Sequence, residues 1–248
     1  MRHLICTSFF LLYFIFVASA QSQCISDTLE LYDTLRTRKI PVLISLPADT
    51  HHLKGTVVFS HGYGQNRPGS FLGYVYLKNY FNRSGYGFIS IQQELESDSL
   101  ISMTPPFYQT RMPFWERGAA NILFVLQHLD KLHPVLAVHR YIIAGHSNGG
   151  DIAALFATRY PEYCKALLTL DNRRMPLPHT HQFRVASVRS ADLPADEGVL
   201  PDIATEKRFN MVIVRSAHVT HNQMGDQATT AEQEEIIGII QQTLKRIL

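Results

Sequence analysis

Short apolar segments alternate with longer segments of helical periodicity along most of this chain, and this alternation restricts the possible folds more than any other feature. Seven apolar segments predict β-strands: residues 40–45, 55–60, 86–92, 140–145, 165–170, 183–189 and 210–215. Four amphipathic segments predict helices: residues 71–81, 117–129, 151–160 and a last helix that follows a capping box of Thr229 and Glu232. Near-continuous apolar strands separated by helices are typical of parallel sheets that are covered on both faces. We therefore predict an α/β fold with a mostly parallel, doubly wound sheet.

The length and charge of the chain exclude several classes of protein. The chain has 248 residues, which suffices for one sizeable α/β domain. Hydrophobic residues make up 46% of it and charged residues 18%, a composition unlike that of disordered proteins. The formal net charge of +2 and the lack of Lys/Arg runs give no indication of nucleic-acid binding.

The N-terminal segment has the pattern of a secretory signal peptide. Arg2 precedes an apolar run over residues 9–18, and the small residues of Ala18-Ser19-Ala20 follow. We predict cleavage after Ala20, which leaves residues 21–248 as a single domain and makes the protein secreted or periplasmic. A membrane anchor is the alternative, but the apolar run has about half the length that spans a bilayer. A lipoprotein signal needs a cysteine directly after the small residues, whereas Cys24 stands four residues beyond Ala20.

Two cysteines remain after this cleavage, and their state is left open by the sequence. In an exported protein Cys24 and Cys164 can form a disulfide, but sequence alone cannot place them within bonding distance. Two unpaired thiols are the equal alternative. The surroundings of Cys164 predict packing rather than catalysis.

The segment Gly145-His146-Ser147-Asn148-Gly149 fits the pattern G-x-S-x-G between a predicted strand and a predicted helix. In that context the central serine occupies a sharp turn, and its hydroxyl projects from the edge of the sheet. The N-terminus of the following helix directs backbone N–H groups toward the same point. A glycine-rich phosphate loop or a plain turn is the alternative when the motif is taken alone. The flanking strand and helix favour Ser147 as a nucleophile.

A second glycine-containing turn, His61-Gly62-Tyr63-Gly64, follows the strand predicted over residues 55–60. Carboxyl ends of neighbouring parallel strands meet at one edge of a sheet, where ligands bind. The backbone N–H groups of Tyr63 and Asn148 are therefore predicted to form an oxyanion hole. His61 is expected to pack beneath this turn rather than to act as a base.

From the HGYG turn through GHSNG to the last helix, about residues 38–248, the chain resembles the α/β-hydrolase fold family of serine esterases and lipases. That resemblance implies the order serine, acid, histidine along the chain. It places the histidine after the strand predicted over residues 210–215, where His218 and His221 occur. His221 lies farther beyond the strand in a polar segment and is the predicted base, with His218 as the alternative. The two histidines could also suggest a metal site, but no third ligand stands at a suitable spacing.

The same resemblance leaves three aspartates open as the acid of the triad. Asp192 fits if the preceding strand ends near Arg189. Asp196 fits if the DEGVLP segment corresponds to the Asp-apolar-Pro loop frequent in the family. Asp171 fits if the acid follows the earlier strand, as in some lipases. Asp192 is the preferred candidate, with Asp196 as the first alternate.

Two loops bear on the substrate. Residues 171–182 alone separate two predicted strands, so no cap domain fits there. Residues 95–115 follow a strand on the catalytic side, and their prolines and aromatic residues either line the pocket or pack against the next helix. Arg173 and Arg174 either bind an acidic substrate group or are simply solvated.

The predicted function is an exported serine hydrolase that cleaves carboxylic esters through an acyl-enzyme. The alternatives are a peptidase, amidase or acyltransferase that uses the same triad, and a non-catalytic binding protein of the same fold. This chemistry requires no metal or organic cofactor. The expected partner is a small-molecule ester, with neither nucleic acid nor a stable membrane anchor.

Overall fold

The computed structural model describes residues 25–248, so the predicted signal peptide and Cys24 lie outside the described residues. The strands within this range are β1 Ile25–Asp33, β2 Arg38–Leu46, β3 Gly55–Ser60, β4 Tyr86–Ile91, β5 Tyr141–His146, β6 Cys164–Leu170, β7 Arg184–Arg189 and β8 Val212–Arg215. The α-helices are α1 Val75–Arg83, α2 Phe107–Leu132, α3 Asn148–Arg159, α4 Ile203–Arg208 and α5 Thr230–Ile247. Short 3₁₀ helices occupy Ser70–Leu72, Pro134–Leu136, Pro161–Tyr163 and His221–Met224.

The strands form one eight-stranded sheet in the order β1-β2-β4-β3-β5-β6-β7-β8. The six strands from β4 to β8 in this order are parallel to one another. Strand β2 is antiparallel to both of its neighbours, β1 and β4. The prediction of an α/β fold with a mostly parallel sheet is therefore confirmed.

Helices cover both faces of this sheet and bury a hydrophobic core on each. Because side chains alternate along a strand, Val58 belongs to one core while Val57 and Phe59 belong to the other. We name them the α2/α3 core and the α1/α5 core, after the helices that pack against the sheet on each face. Within residues 25–248 no helix is both long and apolar enough to cross a membrane.

Several element boundaries differ from those predicted. Strand β1 and helix α4 had not been predicted, and α2 begins ten residues earlier than expected, at Phe107. The helix predicted over residues 71–81 is divided into a 3₁₀ turn over Ser70–Leu72 and α1, which begins at Val75. The carboxyl ends of β3, β4, β5 and β6 nevertheless meet at one edge of the sheet, and the candidate site is built there.

Candidate active site

Ser147 occupies a strained turn between β5 and α3. Its backbone has φ 53° and ψ −122°, a conformation that non-glycine residues seldom adopt. The turn requires the two flanking glycines of the motif: a Cβ on Gly145 would lie 2.2 Å from the Gly149 oxygen, and one on Gly149 would lie 2.1 Å from the Ser60 oxygen. The Ser147 N–H donates to the Leu170 carbonyl at 2.9 Å, which ties the turn to the end of β6.

His221 faces this serine from the loop after β8. Its Nε2 lies 2.9 Å from the Ser147 Oγ. The residue begins a short 3₁₀ helix that Thr220 caps through a reciprocal capping box with Gln223. His218, the alternative base, does not reach the serine: it is exposed, and its N–H donates to Glu235 Oε1 at 3.3 Å.

The carboxylate that contacts His221 belongs to Asp171, directly after β6. Its Oδ2 lies 2.5 Å from His221 Nδ1, and its Oδ1 lies 2.9 Å from Arg189 Nη2. Ser190 donates to the same carboxylate from its N–H at 3.0 Å and from its hydroxyl at 2.9 Å. Burial alone raises the pKa of Asp171, but the His221 hydrogen bond and the Arg189 charge outweigh it and lower the pKa to about 2.

The preference for Asp192 as the acid, with Asp196 as alternate, therefore needs correction. Asp192 accepts a hydrogen bond from the His221 backbone N–H at 2.8 Å, so it contacts the main chain and not the imidazole. Asp196 Oδ2 lies 3.9 Å from Arg174 Nε, and Asp196 forms no hydrogen bond with the imidazole of His221. Asp171 was the third candidate, and it reaches the imidazole because β6 lies next to β5 and its own backbone turns sharply, with φ 51°.

The two N–H groups predicted to form an oxyanion hole belong to the turn after β3 and to the start of α3. Asn148 is the first residue of α3, where a helix N–H has no acceptor in a preceding turn. The Tyr63 N–H forms no hydrogen bond with any residue of the described range, and Tyr63 lines the same pocket as Ser147. Both groups thus remain available to a ligand.

Glu94 connects the turn after β3 with the start of α3 and was missed by sequence reasoning. Its Oε2 accepts the Gly64 N–H at 3.0 Å, and its Oε1 accepts from Asn148 Nδ2 at 3.4 Å. The Asn148 amide is oriented by Trp115, whose indole N–H donates to Oδ1 at 2.9 Å. Burial raises the pKa of Glu94 to about 7, against smaller opposing effects that include the Arg117 charge. Its position just after β4 was the available signal, since the other site residues also follow strand ends.

His146, the residue before Ser147, was also missed. The His221 carbonyl oxygen, 3.0 Å from His146 Nε2, can only accept, so Nε2 carries the hydrogen. Nδ1 of the neutral ring therefore accepts from the Tyr74 hydroxyl at 2.7 Å, and Tyr74 in turn accepts the Gly62 N–H at 3.1 Å. Burial, followed by the nearby His221, lowers the pKa of His146 to about 3 and keeps the ring neutral. This chain of hydrogen bonds links the His221 loop to the turn after β3.

His61 lies beneath that turn. Its Nε2 accepts the Gln93 N–H at 3.0 Å, and its Nδ1 donates to the Gly62 carbonyl at 2.7 Å. Burial lowers its pKa to about 4. With both ring nitrogens engaged, His61 is not available as a base.

A pocket of about 340 Å³ opens beside Ser147 and His221. Its other walls come from the turn after β3, the start of α1 and the loop after His221, and they include Tyr63, Tyr74 and Asp226. The 95–115 segment, considered above as an apolar wall, does not line this pocket. Trp115 from that segment is fully buried in the α2/α3 core. Within residues 25–248 no cluster of three or more His, Cys, Asp or Glu side chains has the arrangement of a metal site.

Cys164 is buried at the start of β6, and burial raises the pKa of its thiol to about 12. Its possible partner, Cys24, lies outside the described residues. The disulfide and the two unpaired thiols therefore both stay predictions.

Comparisons of the sequence with protein-family models and with curated proteins give no match. Solved structures match over most of the chain. A bacterial heroin esterase is 13% identical, with a TM-score of 0.62, over 92% of this chain and 86% of that protein. An esterase from Rhizomucor miehei is 13% identical, with a TM-score of 0.62, over 92% and 85%. A dienelactone hydrolase from Anabaena variabilis ATCC 29413 is 14% identical, with a TM-score of 0.56, over 90% and 99%. The sheet order and these matches together identify the chain as a protein of the α/β-hydrolase fold.

Proposed function

We propose that this chain is a serine hydrolase that cleaves carboxylic esters through an acyl-enzyme at Ser147. The observation that carries the proposal is the continuous hydrogen-bonded chain from Ser147 Oγ through His221 to Asp171, with distances of 2.9 and 2.5 Å. A nucleophile, a base within hydrogen-bond reach and a carboxylate that orients the base are the parts that acyl transfer requires. The esterases among the structural matches support the choice of ester as substrate class.

In the proposed reaction His221 Nε2 takes the Ser147 proton while Oγ attacks the ester carbonyl. Asp171 holds the hydrogen on Nδ1 and stabilises the imidazolium that forms. The N–H groups of Tyr63 and Asn148 stabilise the negative oxygen of the tetrahedral intermediate. His221 then gives its proton to the leaving alcohol, and the acyl group stays on Ser147. In the second half of the reaction water takes the place of the alcohol: His221 takes a proton from water, the water oxygen attacks the acyl carbonyl, and the proton passes to Ser147 Oγ as the acid is released.

The surroundings of Asp171 suit this role. Arg189 and two donors from Ser190 hold one geometry of the carboxylate, so that a lone pair stays directed at His221. A carboxylate that remains ionised throughout the neutral range can stabilise a charged imidazole at any pH at which the enzyme would work.

A fluorophosphonate probe tests the proposal directly. The folded protein should be labelled at Ser147 and should hydrolyse p-nitrophenyl butyrate, and Ser147→Ala should lose both properties. Absence of labelling in a folded protein would leave a non-catalytic binding protein as the better description. Hydrolysis that persists in Ser147→Ala would refute the choice of nucleophile.

We also propose that the protein is exported, on the order of basic, apolar and small residues in its first 20 positions. Expression of the full chain in a host with a secretory pathway should give a product whose mass corresponds to residues 21–248. Retention of the uncleaved chain in the membrane fraction would favour an anchor instead.

A further inference from the structure

Three arginine side chains gather beside the first turn of α3. Arg173 and Arg174 follow Asp171 in the loop after β6, and their N–H groups donate to the buried Asp151 carboxylate at 3.1 and 2.9 Å. Arg111 approaches from the start of α2. The guanidinium carbons of Arg111 and Arg174 lie 4.9 and 4.8 Å from the centre of the same ring, that of Phe107. We call Arg111, Arg173 and Arg174 the arginine cluster.

The charges of the arginine cluster are poorly matched by acidic partners. Arg111 is only 6% exposed, yet among residues 25–248 no carboxylate lies within 4.0 Å of it. Its hydrogen bonds go to the Ser102 carbonyl at 3.0 Å and to the Met103 sulfur at 3.5 Å. Buried cations in proteins are ordinarily paired with anions. The 24 residues outside the described range contain no Asp or Glu, so they cannot supply the missing charge.

The other two arginines likewise have free donors. Within the described range Arg173 forms no ion pair, and Arg174 is 3.9 Å from Asp196, beyond hydrogen-bond distance. Their Nε atoms are buried without a hydrogen-bond partner. Asp151 and Asp196 are the nearby acidic groups, and one oxygen of Asp151, Oδ1, accepts three backbone N–H groups, from Arg173, Arg174 and Met175.

The arginine cluster is adjacent to the proposed catalytic machinery. Arg173 and Arg174 lie two and three residues beyond Asp171. The Asp151 that fixes their backbone belongs to the first turn of α3, where its own backbone N–H donates to the Ser147 carbonyl at 3.0 Å. Trp115, one helical turn beyond Arg111, holds the Asn148 side chain. None of the three arginines lines the 340 Å³ pocket beside Ser147, so an ester whose carbonyl lies at Ser147 would contact them with a part that extends beyond that pocket.

We infer that the arginine cluster binds an anionic group, a carboxylate or a phosphate, on the ester substrate. The inference rests on the proposed function and narrows its substrate class to acidic esters. Guanidinium groups suit this task because their fork of donors matches the paired oxygens of carboxylates and phosphates. Binding such a group would give Arg111 a direct ion pair, in addition to the more distant charges of Asp151 and Asp196.

Paired substrates test the inference. The acyl side is compared with p-nitrophenyl hemisuccinate and p-nitrophenyl butyrate, and the alcohol side with 4-carboxyphenyl butyrate and phenyl butyrate. In Arg173→Gln and Arg174→Gln, kcat/KM should fall about ten- to hundredfold for the acidic ester of at least one pair, the loss expected for a charged hydrogen bond. The neutral esters should change less than threefold. Equal losses for acidic and neutral esters would overturn the inference.

A matched control is Arg208→Gln, which removes an arginine that also lies over an aromatic ring, 5.3 Å from Phe209, but on α4. It should leave the preference for acidic esters unchanged, and an equal loss there would indicate a general charge effect instead of a site. Both cluster variants keep the backbone contacts to Asp151, and circular dichroism checks that they fold.

Direct binding separates failure of this inference from failure of the proposed function. Titration calorimetry of Ser147→Ala with succinate and with inorganic phosphate needs no turnover. Binding that Arg174→Gln abolishes in the Ser147→Ala background would support the anion site even if no ester were hydrolysed. Hydrolysis of neutral esters together with no binding of either anion and no acidic preference would reject the site and keep the hydrolase.

Discussion

At the scale of single residues, Asp171 is held by two different side chains. It is fully buried between His221 and Arg189, and its carboxylate has contacts with both. Arg189 is itself only 1% exposed, and its Nη1 donates to the Asn172 carbonyl at 2.7 Å. Neither Asp171 nor Arg189 can therefore turn toward solvent. Removal of the Asp171 charge therefore affects the proposed chemistry and the fold at once.

Asp171→Asn should lower kcat by about 10⁴, because an amide that donates to Nδ1 stabilises the wrong tautomer of His221. The variant should also unfold more readily, by about 3–5 kcal/mol, because it leaves Arg189 buried without a counter-charge. Ester hydrolysis measured well below the unfolding midpoint separates the two effects. Asp192→Asn is the control: it keeps an oxygen for the His221 N–H and should cost less than tenfold. A larger loss from Asp192→Asn than from Asp171→Asn would restore Asp192 as the acid.

Glu94 should contribute a proton to the pH profile of the proposed activity. Ionised Glu94 accepts from both Gly64 and Asn148, whereas the protonated carboxyl cannot keep both contacts. Since its pKa is about 7, activity should rise with pH through neutrality as Glu94 loses its proton. In Glu94→Gln this contribution is absent, so the rise in log kcat near pH 7 should become less steep. The exposed Glu96→Gln should keep the wild-type profile, and an unchanged profile in Glu94→Gln would contradict the assigned role.

Ionisation of Glu94 should lower the stability of the protein as the pH rises, whereas it should raise the activity. Because burial raises the pKa of Glu94 from its usual 4.5 to about 7, the folded chain holds this proton more tightly than the unfolded chain. The resulting cost is absent below pH 4.5, grows between pH 4.5 and 7, and is complete above pH 7. The Tm of Glu94→Gln, relative to that of the wild type, should therefore increase between pH 5 and pH 8.

The sequence predicted some site residues and not others for identifiable reasons. Ser147 and His221 follow strand ends within recognisable polar segments, so their approach in space could be anticipated. The choice among three aspartates depends on which strand end faces the imidazole, which spacing does not encode. Glu94 was missed because its contacts come from the turn after β3 and from the start of α3, which lie far away in the sequence.

At the scale of elements, the turn between β5 and α3 depends on close backbone packing. Gly149 lies so near the end of β3 that a methyl group there would overlap the Ser60 and His61 oxygens, at 2.1 and 2.3 Å. Gly238, in the middle of α5, has no atom within 4 Å of the corresponding position. Gly149 is therefore required because no side chain fits at its position. The packing around Gly238 shows no such requirement.

Alanine at these two positions should have effects of opposite sign. Gly149→Ala should destabilise the fold by about 3 kcal/mol or more, since the obstructing atoms are backbone and cannot move aside cheaply. Gly238→Ala should stabilise it by about 0.5–1 kcal/mol, the difference in helix propensity. Urea denaturation of both variants gives the two free energies of unfolding. A Gly149→Ala protein as stable as wild type would show that the turn is less tightly packed than described.

Element boundaries were hardest to predict at the edges of the fold. β1 is an edge strand with mostly exposed residues, so it lacks the continuous apolar pattern that revealed the central strands. The start of α2 contains Pro113 and follows Pro105 and Pro106, which suggested a loop. The two cores on opposite faces of the sheet were predictable because the central strands are buried on both sides.

At the scale of the whole molecule, the α2/α3 core and the α1/α5 core are joined by the same strands. Adjacent residues of β3 enter opposite cores, as do Ile142 and Ile143 of β5. Loss of one core would leave apolar strand residues exposed on that face. A substitution that destabilises one core should therefore also lower the stability of the other core.

Trp115, the single tryptophan of the chain, makes this coupling measurable because it reports on the α2/α3 core alone. Ile240→Ala opens a cavity in the α1/α5 core, on the opposite face, and should cost about 2–5 kcal/mol. If both cores unfold together, the midpoint of Trp115 fluorescence should shift by as much as that of far-UV circular dichroism. Leu129→Ala, in the α2/α3 core itself, should shift both midpoints by a similar amount. An unchanged Trp115 transition in Ile240→Ala, with a two-step loss of circular dichroism, would instead mean that the two cores unfold independently in spite of their shared strands.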